Sequence, residues 1–115
     1  MKIVLLALVF LGFIQQETPR LNGKYRTEFD LKYVQQNYQI SFKDSTFVKK
    51  MPDAITYKGK IAYGKFRATI KQNADDDPME IDNREFGKDT IAFTVKSKRD
   101  NSRVAGRGIL IRVKQ

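Results

Sequence analysis

The chain has 115 residues, which is room for one domain; a domain of this size buries roughly two-thirds of the surface that its unfolded chain exposes. It contains neither cysteine nor histidine, so disulfides, thiolate or imidazole metal sites, and mechanisms with a Cys or His nucleophile or base are excluded. We therefore expect a protein that is not an enzyme and that needs no cofactor or metal. The net charge of +9 predicts an acidic partner, because a strongly basic surface attracts anionic lipid, glycan or nucleic acid.

The N-terminus has the pattern of an export signal. Met1-Lys2 precedes an unbroken apolar run from Ile3 to Ile14, and a polar stretch follows from Gln15 to Arg20. As a helix, the apolar run would cover about 18 Å, well short of the roughly 30 Å hydrocarbon core of a bilayer. The pattern predicts a signal peptide over residues 1–16, with an uncleaved anchor as the alternative, and a single domain over 17–115 that is periplasmic or secreted.

Beyond Pro19 the hydrophobic period is two, which is typical of half-buried β-strands. Polar turn segments separate the alternating stretches, and Leu31 to Asn37 could form a helical turn or two. The alternation predicts about eight strands, at 22–31, 37–43, 45–50, 54–63, 65–72, 79–85, 89–97 and 103–114. In the last strand, the residues expected to face inward are Ala105, Arg107, Ile109, Ile111 and Val113. Those expected to face outward are Gly106, Gly108, Leu110 and Arg112.

Many short strands without a long crossover segment predict an all-β fold. Such strands form an antiparallel meander, which hides its edges by closing into a small barrel or, alternatively, by folding into a β-sandwich. The predicted architecture is therefore one eight-stranded domain preceded by a signal-peptide helix.

The opening of the first strand carries a family resemblance. Leu21-Asn22-Gly23-Lys24-Tyr25, directly after the export signal and before the meander, resembles the start of the first barrel strand in the small lipocalin-like proteins exported by Bacteroidetes-type bacteria. The resemblance implies a lipocalin-like barrel that binds a small apolar molecule, or a structural relative that binds nothing.

Aromatic residues at the inner positions are the candidate ligand-binding residues. An eight-stranded barrel has an interior just wide enough to be filled by side chains or to hold one small ligand. These rings could therefore line a pocket or simply form the core. The seven candidates are Tyr25, Phe29, Phe42, Tyr57, Tyr63, Phe66 and Phe93.

Basic residues at outward positions of two neighbouring strands predict a cationic stripe. The candidates for contact with an anionic envelope component, either lipid or glycan, are Lys58, Lys60, Lys65, Arg67 and Lys71. The aromatic residues fall on the opposite side, so stacking on bases, and with it sequence-specific nucleic-acid binding, is not expected. The alternative function is thus an envelope-associated module with a filled core that docks on an anionic surface or on a protein that the sequence does not identify. The stripe could also serve solubility alone.

The acidic segment between Asp75 and Asp82 offers carboxylates without the spacing of a calcium loop. Dense like charges of this kind usually lie in water. We expect a solvated turn here, and no catalytic pair of carboxylates.

Overall fold

The computed structural model describes residues 20–30, 37–72, 76–100 and 103–114. The predicted signal peptide and nearly all of the predicted helical turn lie outside these residues. Within them, no helix has the length and apolar character needed to cross a membrane. The eight strands are β1 (Asn22–Phe29), β2 (Gln39–Lys43), β3 (Thr46–Lys50), β4 (Thr56–Tyr63), β5 (Arg67–Ile70), β6 (Met79–Asp82), β7 (Thr90–Lys96) and β8 (Val104–Arg112).

Each strand pairs antiparallel with the next, and β8 returns to pair with β1, so the sheet closes into a barrel. The predicted all-β meander of eight strands is confirmed, and the strands form the barrel rather than the sandwich. Most strands are shorter than the alternation predicted, because turns include the residues at the ends of the predicted ranges. Between β4 and β5, for example, the turn extends through Phe66, and a 3₁₀ turn at Asn83–Glu85 follows β6.

The inner side of the barrel is packed through most of its length. Apolar side chains alternate inward as the period of two requires, and one buried polar residue, Thr27, is 3% exposed. The packed cluster consists of Leu21, Tyr25, Ile40, Phe42, Phe47, Ile61, Ala68, Ile70, Met79, Ile81, Ile91, Phe93 and Leu110. Burial of this kind supplies the main stabilising free energy of the domain.

The expected inner face of β8 is wrong. Leu110 is fully buried, Gly108 is buried and Arg107 is exposed, so the even-numbered residues point inward. Gly108 lies opposite Phe29 on β1 and Phe93 on β7, and the two rings meet edge to face with centroids 5.1 Å apart. A Cβ at position 108 would overlap the backbone of β1 at Glu28 and Phe29, so the close approach of the two strands requires glycine there. Apolarity alone pointed to the other face, because glycine carries no hydrophobic signal.

One end of the barrel is sealed by hydrogen bonds and stacked rings. Leu21 is 1% exposed, and its N–H donates to the Tyr63 hydroxyl at 3.0 Å. The Arg112 guanidinium lies 4.8 Å from the centre of the Tyr25 ring and pairs with Asp89 at 2.8 Å. We call this the closed end; the strand ends at the other side form the open end.

Candidate functional site

A cup of about 240 Å³ opens at the other end of the barrel. The packed core forms its floor, and the ends of β1, β3, β5 and β7 form its wall. We call it the mouth cup. Its lining residues are Phe29, Tyr38, Ile40, Phe47, Lys49, Ile70, Gln72, Asp76, Asp77, Met79 and Val95. The apolar residues of this set lie deepest, while the charged and amide side chains come from β3 and the segment between β5 and β6.

Tyr38 is held in the wall of the cup by Thr27. The paired register of β1 and β2 ends at Arg26 and Gln39, and beyond it the Thr27 N–H donates to the Tyr38 carbonyl at 2.8 Å. The Thr27 hydroxyl adds two bonds: it donates to the same carbonyl at 3.0 Å and accepts from the Tyr38 N–H at 2.8 Å. A side chain that satisfies buried backbone groups fixes the local conformation. The Tyr38 ring is thereby placed beside Phe29, with ring centroids 6.1 Å apart. Burial raises the pKa of Tyr38 well above its usual range, so its hydroxyl stays protonated.

Lys49 brings a positive charge to the cup. Its ammonium nitrogen lies 4.2 Å from the centre of the Tyr38 ring, in cation–π contact. Burial lowers the pKa of Lys49 because it removes water from the ammonium, while the carboxylate of Asp76 acts in the opposite direction. Asp77, on the same rim, uses one carboxylate oxygen to accept from the Lys98 N–H at 2.8 Å. The cup thus combines an apolar floor with a few polar groups at its rim, as small-ligand sites do.

The structure separates the seven aromatic candidates. Tyr25, Phe42 and Phe93 belong to the packed core, and Tyr63 packs against it at the closed end. Phe29 lines the mouth cup.

The remaining two aromatic candidates lie elsewhere. Tyr57 is half-buried on β4, directly opposite Lys49. The inner position expected for Phe66 is wrong. Phe66 is 65% exposed, because it belongs to the β4–β5 turn and not to a strand. The Lys65 ammonium lies 5.4 Å from the centre of its ring.

The five basic candidates are all exposed, but they do not form one stripe. Lys58 and Lys60 point outward from β4, and Lys71 follows the neighbouring β5. Arg67 instead pairs with Glu80 on β6 at 3.2 Å, and Lys65 lies in the turn at the closed end. Lys58, Lys60 and Lys71 thus share the outer surface of β4 and β5.

That surface is larger than the sequence indicated. The register places Lys43 of β2 and Lys60 of β4 opposite the same residue, Thr46 of β3, and Lys50 lies on the same outer side. The outward positions of β2, β3 and β4 carry no acidic residue. We call the set of Lys43, Lys50, Lys58, Lys60 and Lys71 the lysine face.

Several acidic residues lie in β6 and in the 3₁₀ turn that follows it. Asp82 accepts hydrogen bonds from the side chain and backbone of Arg84, which lower its pKa to about 2. Glu85 accepts from the Ala92 N–H at 2.9 Å. Among the residues that the structure describes, no three carboxylates converge in a way that could hold a metal ion.

Tyr38 lines the mouth cup but is not among the candidates predicted from the sequence, although the period of two places it on the inner side with Ile40. Sequence reasoning also missed Lys49. Counting in steps of two from Phe47 places Lys49 on the inner side. However, two adjacent lysines at the end of a strand are typical of a solvent-exposed strand end. The register against Ile40 and Tyr57 settles that it lies on the inner side.

No protein-family model matches the chain, and comparisons with curated proteins and with solved structures return no significant match. Function therefore has to be argued from the two surfaces just described.

Proposed function

We propose that this protein is an exported, non-enzymatic barrel of the lipocalin-like kind, which binds a small, largely apolar ligand at its open end. The observation that carries the proposal is the mouth cup: the barrel is sealed at one end and packed in the middle, yet it leaves about 240 Å³ accessible at the other end. Close packing is the ordinary state of a protein interior. A concave site with an apolar floor and polar groups that can orient a ligand is a common form of a ligand site.

The size of the cup limits the ligand. Its volume corresponds to about eight water molecules at roughly 30 Å³ each, which is below the range of about 300–1,000 Å³ for drug-sized ligands. The ligand, or the part of it that enters, is thus a short alkyl chain or a single ring. Larger apolar molecules would protrude past Gln72 and Asp76 at the rim.

A series of straight-chain alcohols tests the proposal. Binding of 1-butanol to 1-decanol is followed by amide chemical shifts of the labelled protein. Each buried methylene should add up to about 0.8 kcal/mol, or roughly fourfold in affinity. The gain should stop near eight carbons, when the cup is full, and the shifts should centre on Phe29, Ile40 and Met79.

Two valine substitutions provide a matched control. Val95 is half-buried and lines the cup, whereas Val48 is 37% exposed on the outer side of β3. Val95→Phe should block alcohol binding, and Val48→Phe should leave it unchanged. Weak binding that grows with chain length without a limit, equally in both variants, would show nonspecific surface contact and refute the proposal.

The lysine face supports a second candidate function, the binding of an anionic polymer such as an acidic glycan. The other outward positions hold mainly threonine, serine and glutamine, with Val48 at the centre of β3, so the surface offers charge and hydrogen bonds without exposed rings for base stacking. The described outward positions of β2, β3 and β4 hold no acidic residue, although Asp44 and Asp53 lie in the turns that join these strands. A strongly charged face of one sign raises the local concentration of an oppositely charged partner.

Charge reversal separates the face from net charge. With heparin as the probe, Lys58→Glu combined with Lys60→Glu should remove binding at low salt. The matched control, Lys65→Glu with Lys114→Glu, reverses the same charge at exposed positions near the closed end and should largely retain it. Wild-type binding should weaken steeply towards 0.15 M salt, where the screening length is about 8 Å. Equal losses in both double variants would assign the attraction to net charge and remove this candidate.

A further inference from the structure

Lys49 points into the open end of the barrel. It lies on β3 directly opposite Ile40 on β2, and residues that face each other across antiparallel strands lie on the same side of a sheet. Ile40 is 1% exposed, so Lys49 shares the inner side. Its neighbour Lys50 lies on the outer side, opposite Gln39. The two adjacent lysines therefore differ in environment while they share their strand.

The inner position costs free energy for a charged group. Removing an ammonium from water is unfavourable unless a partner compensates, and the lowered pKa of Lys49 reflects that burial. The Tyr38 ring compensates in part through cation–π contact, and the charge of Asp76 also favours the ammonium. Among the described residues, no ion pair joins Lys49 to a carboxylate. A methionine or leucine would fill the same place without the desolvation cost. Packing alone therefore does not explain why a charged residue occupies this position.

We infer that Lys49 anchors the acidic head group of a small amphipathic ligand, a carboxylate with a compact apolar body of about eight carbon atoms, in the mouth cup. This ligand class presupposes the binding barrel proposed above. The apolar body would lie on Phe47, Ile70 and Met79, which line the cup. The carboxylate would meet the Lys49 ammonium in a charge-assisted hydrogen bond, which is roughly twice as strong as a neutral one.

The rim also carries negative charge, which favours an amine over a carboxylate as the ligand. The two ligand classes therefore have to be compared by experiment. Asp77 is already engaged by the Lys98 N–H, which leaves Asp76 as the carboxylate that could attract an amine. Lys49 has the better position, because its ammonium lies against the Tyr38 ring in the wall of the cup.

Three probes of equal length distinguish these classes: octanoate, 1-octanol and octylammonium. Each is titrated below its micelle concentration into wild type, Lys49→Met and the matched control Lys50→Met. We expect wild type to bind octanoate at least tenfold tighter than 1-octanol, as a hydrogen bond to a charged partner allows. Lys49→Met should lose that preference and still bind 1-octanol within about threefold of wild type. Lys50→Met should keep both affinities.

The alcohol also reports folding, because a variant that binds 1-octanol normally has an intact cup. If 1-octanol binds wild type but octanoate binds no tighter, the inferred ligand class is wrong and the binding barrel stands. Preference for octylammonium, or an equal loss in Lys49→Met and Lys50→Met, also overturns the inference. If none of the probes binds wild type, the proposed function fails together with it.

Discussion

Two phenylalanines that the sequence placed in the same interior provide a strict test of the fold. Phe93 is 2% exposed, whereas Phe66 is 65% exposed. Replacing a buried Phe by Ala removes its transfer free energy and leaves a cavity, which costs about 3–5 kcal/mol. The same change at an exposed turn position usually stays within about 0.5 kcal/mol. Because a domain has only about 5–15 kcal/mol of stability, Phe93→Ala should remove a large part of it.

The measurement is equilibrium unfolding in guanidinium chloride. The chain has five tyrosines and no tryptophan, so tyrosine fluorescence and far-ultraviolet circular dichroism are the probes. With a denaturant slope of about 2–6 kcal/mol per M, a loss near 4 kcal/mol lowers the midpoint by roughly 0.7–2 M. The Phe66→Ala midpoint should stay within a few tenths of a molar unit of wild type. Equal shifts in the two variants, or a larger shift for Phe66→Ala, would refute the inside-outside assignment.

The ring pair adds a finer check. Phe29 and Phe93 meet edge to face with centroids 5.1 Å apart, an arrangement worth about 0.5–1.5 kcal/mol beyond area burial. A double-mutant cycle with Phe29→Ala should recover a coupling energy of that size. Additive single effects would mean that the rings do not touch in solution.

The period of two predicted the eight-stranded antiparallel meander, but a barrel and a sandwich both hide the edges of such a sheet. The pairing of β8 with β1 decides for the barrel. The period of two failed where the chain departs from simple alternation. Phe66 has the right parity for the interior, but it belongs to a turn that begins at Gly64. At Gly108 the inner face carries no side chain at all, so hydropathy pointed to the wrong face.

The candidate site depended on information that a single strand does not contain. The lysine face requires the register that places Lys43 and Lys60 on either side of Thr46. The mouth cup requires knowing which strand ends meet, and Lys49 becomes a site residue only when it is known to share a side with Ile40. Long-range pairing decides both, and local pattern does not encode it.

Three more perturbations follow from single contacts. Gly108→Ala should strongly destabilise the barrel, because a Cβ there would overlap the carbonyl oxygen of Glu28 on β1, and thermal unfolding measures the loss. The Ala92 N–H and the Lys88 ammonium lower the pKa of Glu85, so its carboxylate stabilises the fold above its ordinary pKa of 4.5; the stability lead of wild type over Glu85→Gln should shrink as the pH falls below that value. The third perturbation concerns Lys49, whose pKa is lowered in the folded state by burial. Between the lowered pKa and the ordinary value of 10.5, the unfolded state therefore binds more protons than the folded state. The free energy of unfolding of the wild type rises with pH in that window. Lys49→Met should therefore match or exceed the wild-type melting temperature at pH 7, and any gain should fade as the pH approaches 10.5. A marked loss of stability in Lys49→Met at pH 7 would show that the ammonium is compensated within the fold, and the reason for assigning it to a ligand would disappear.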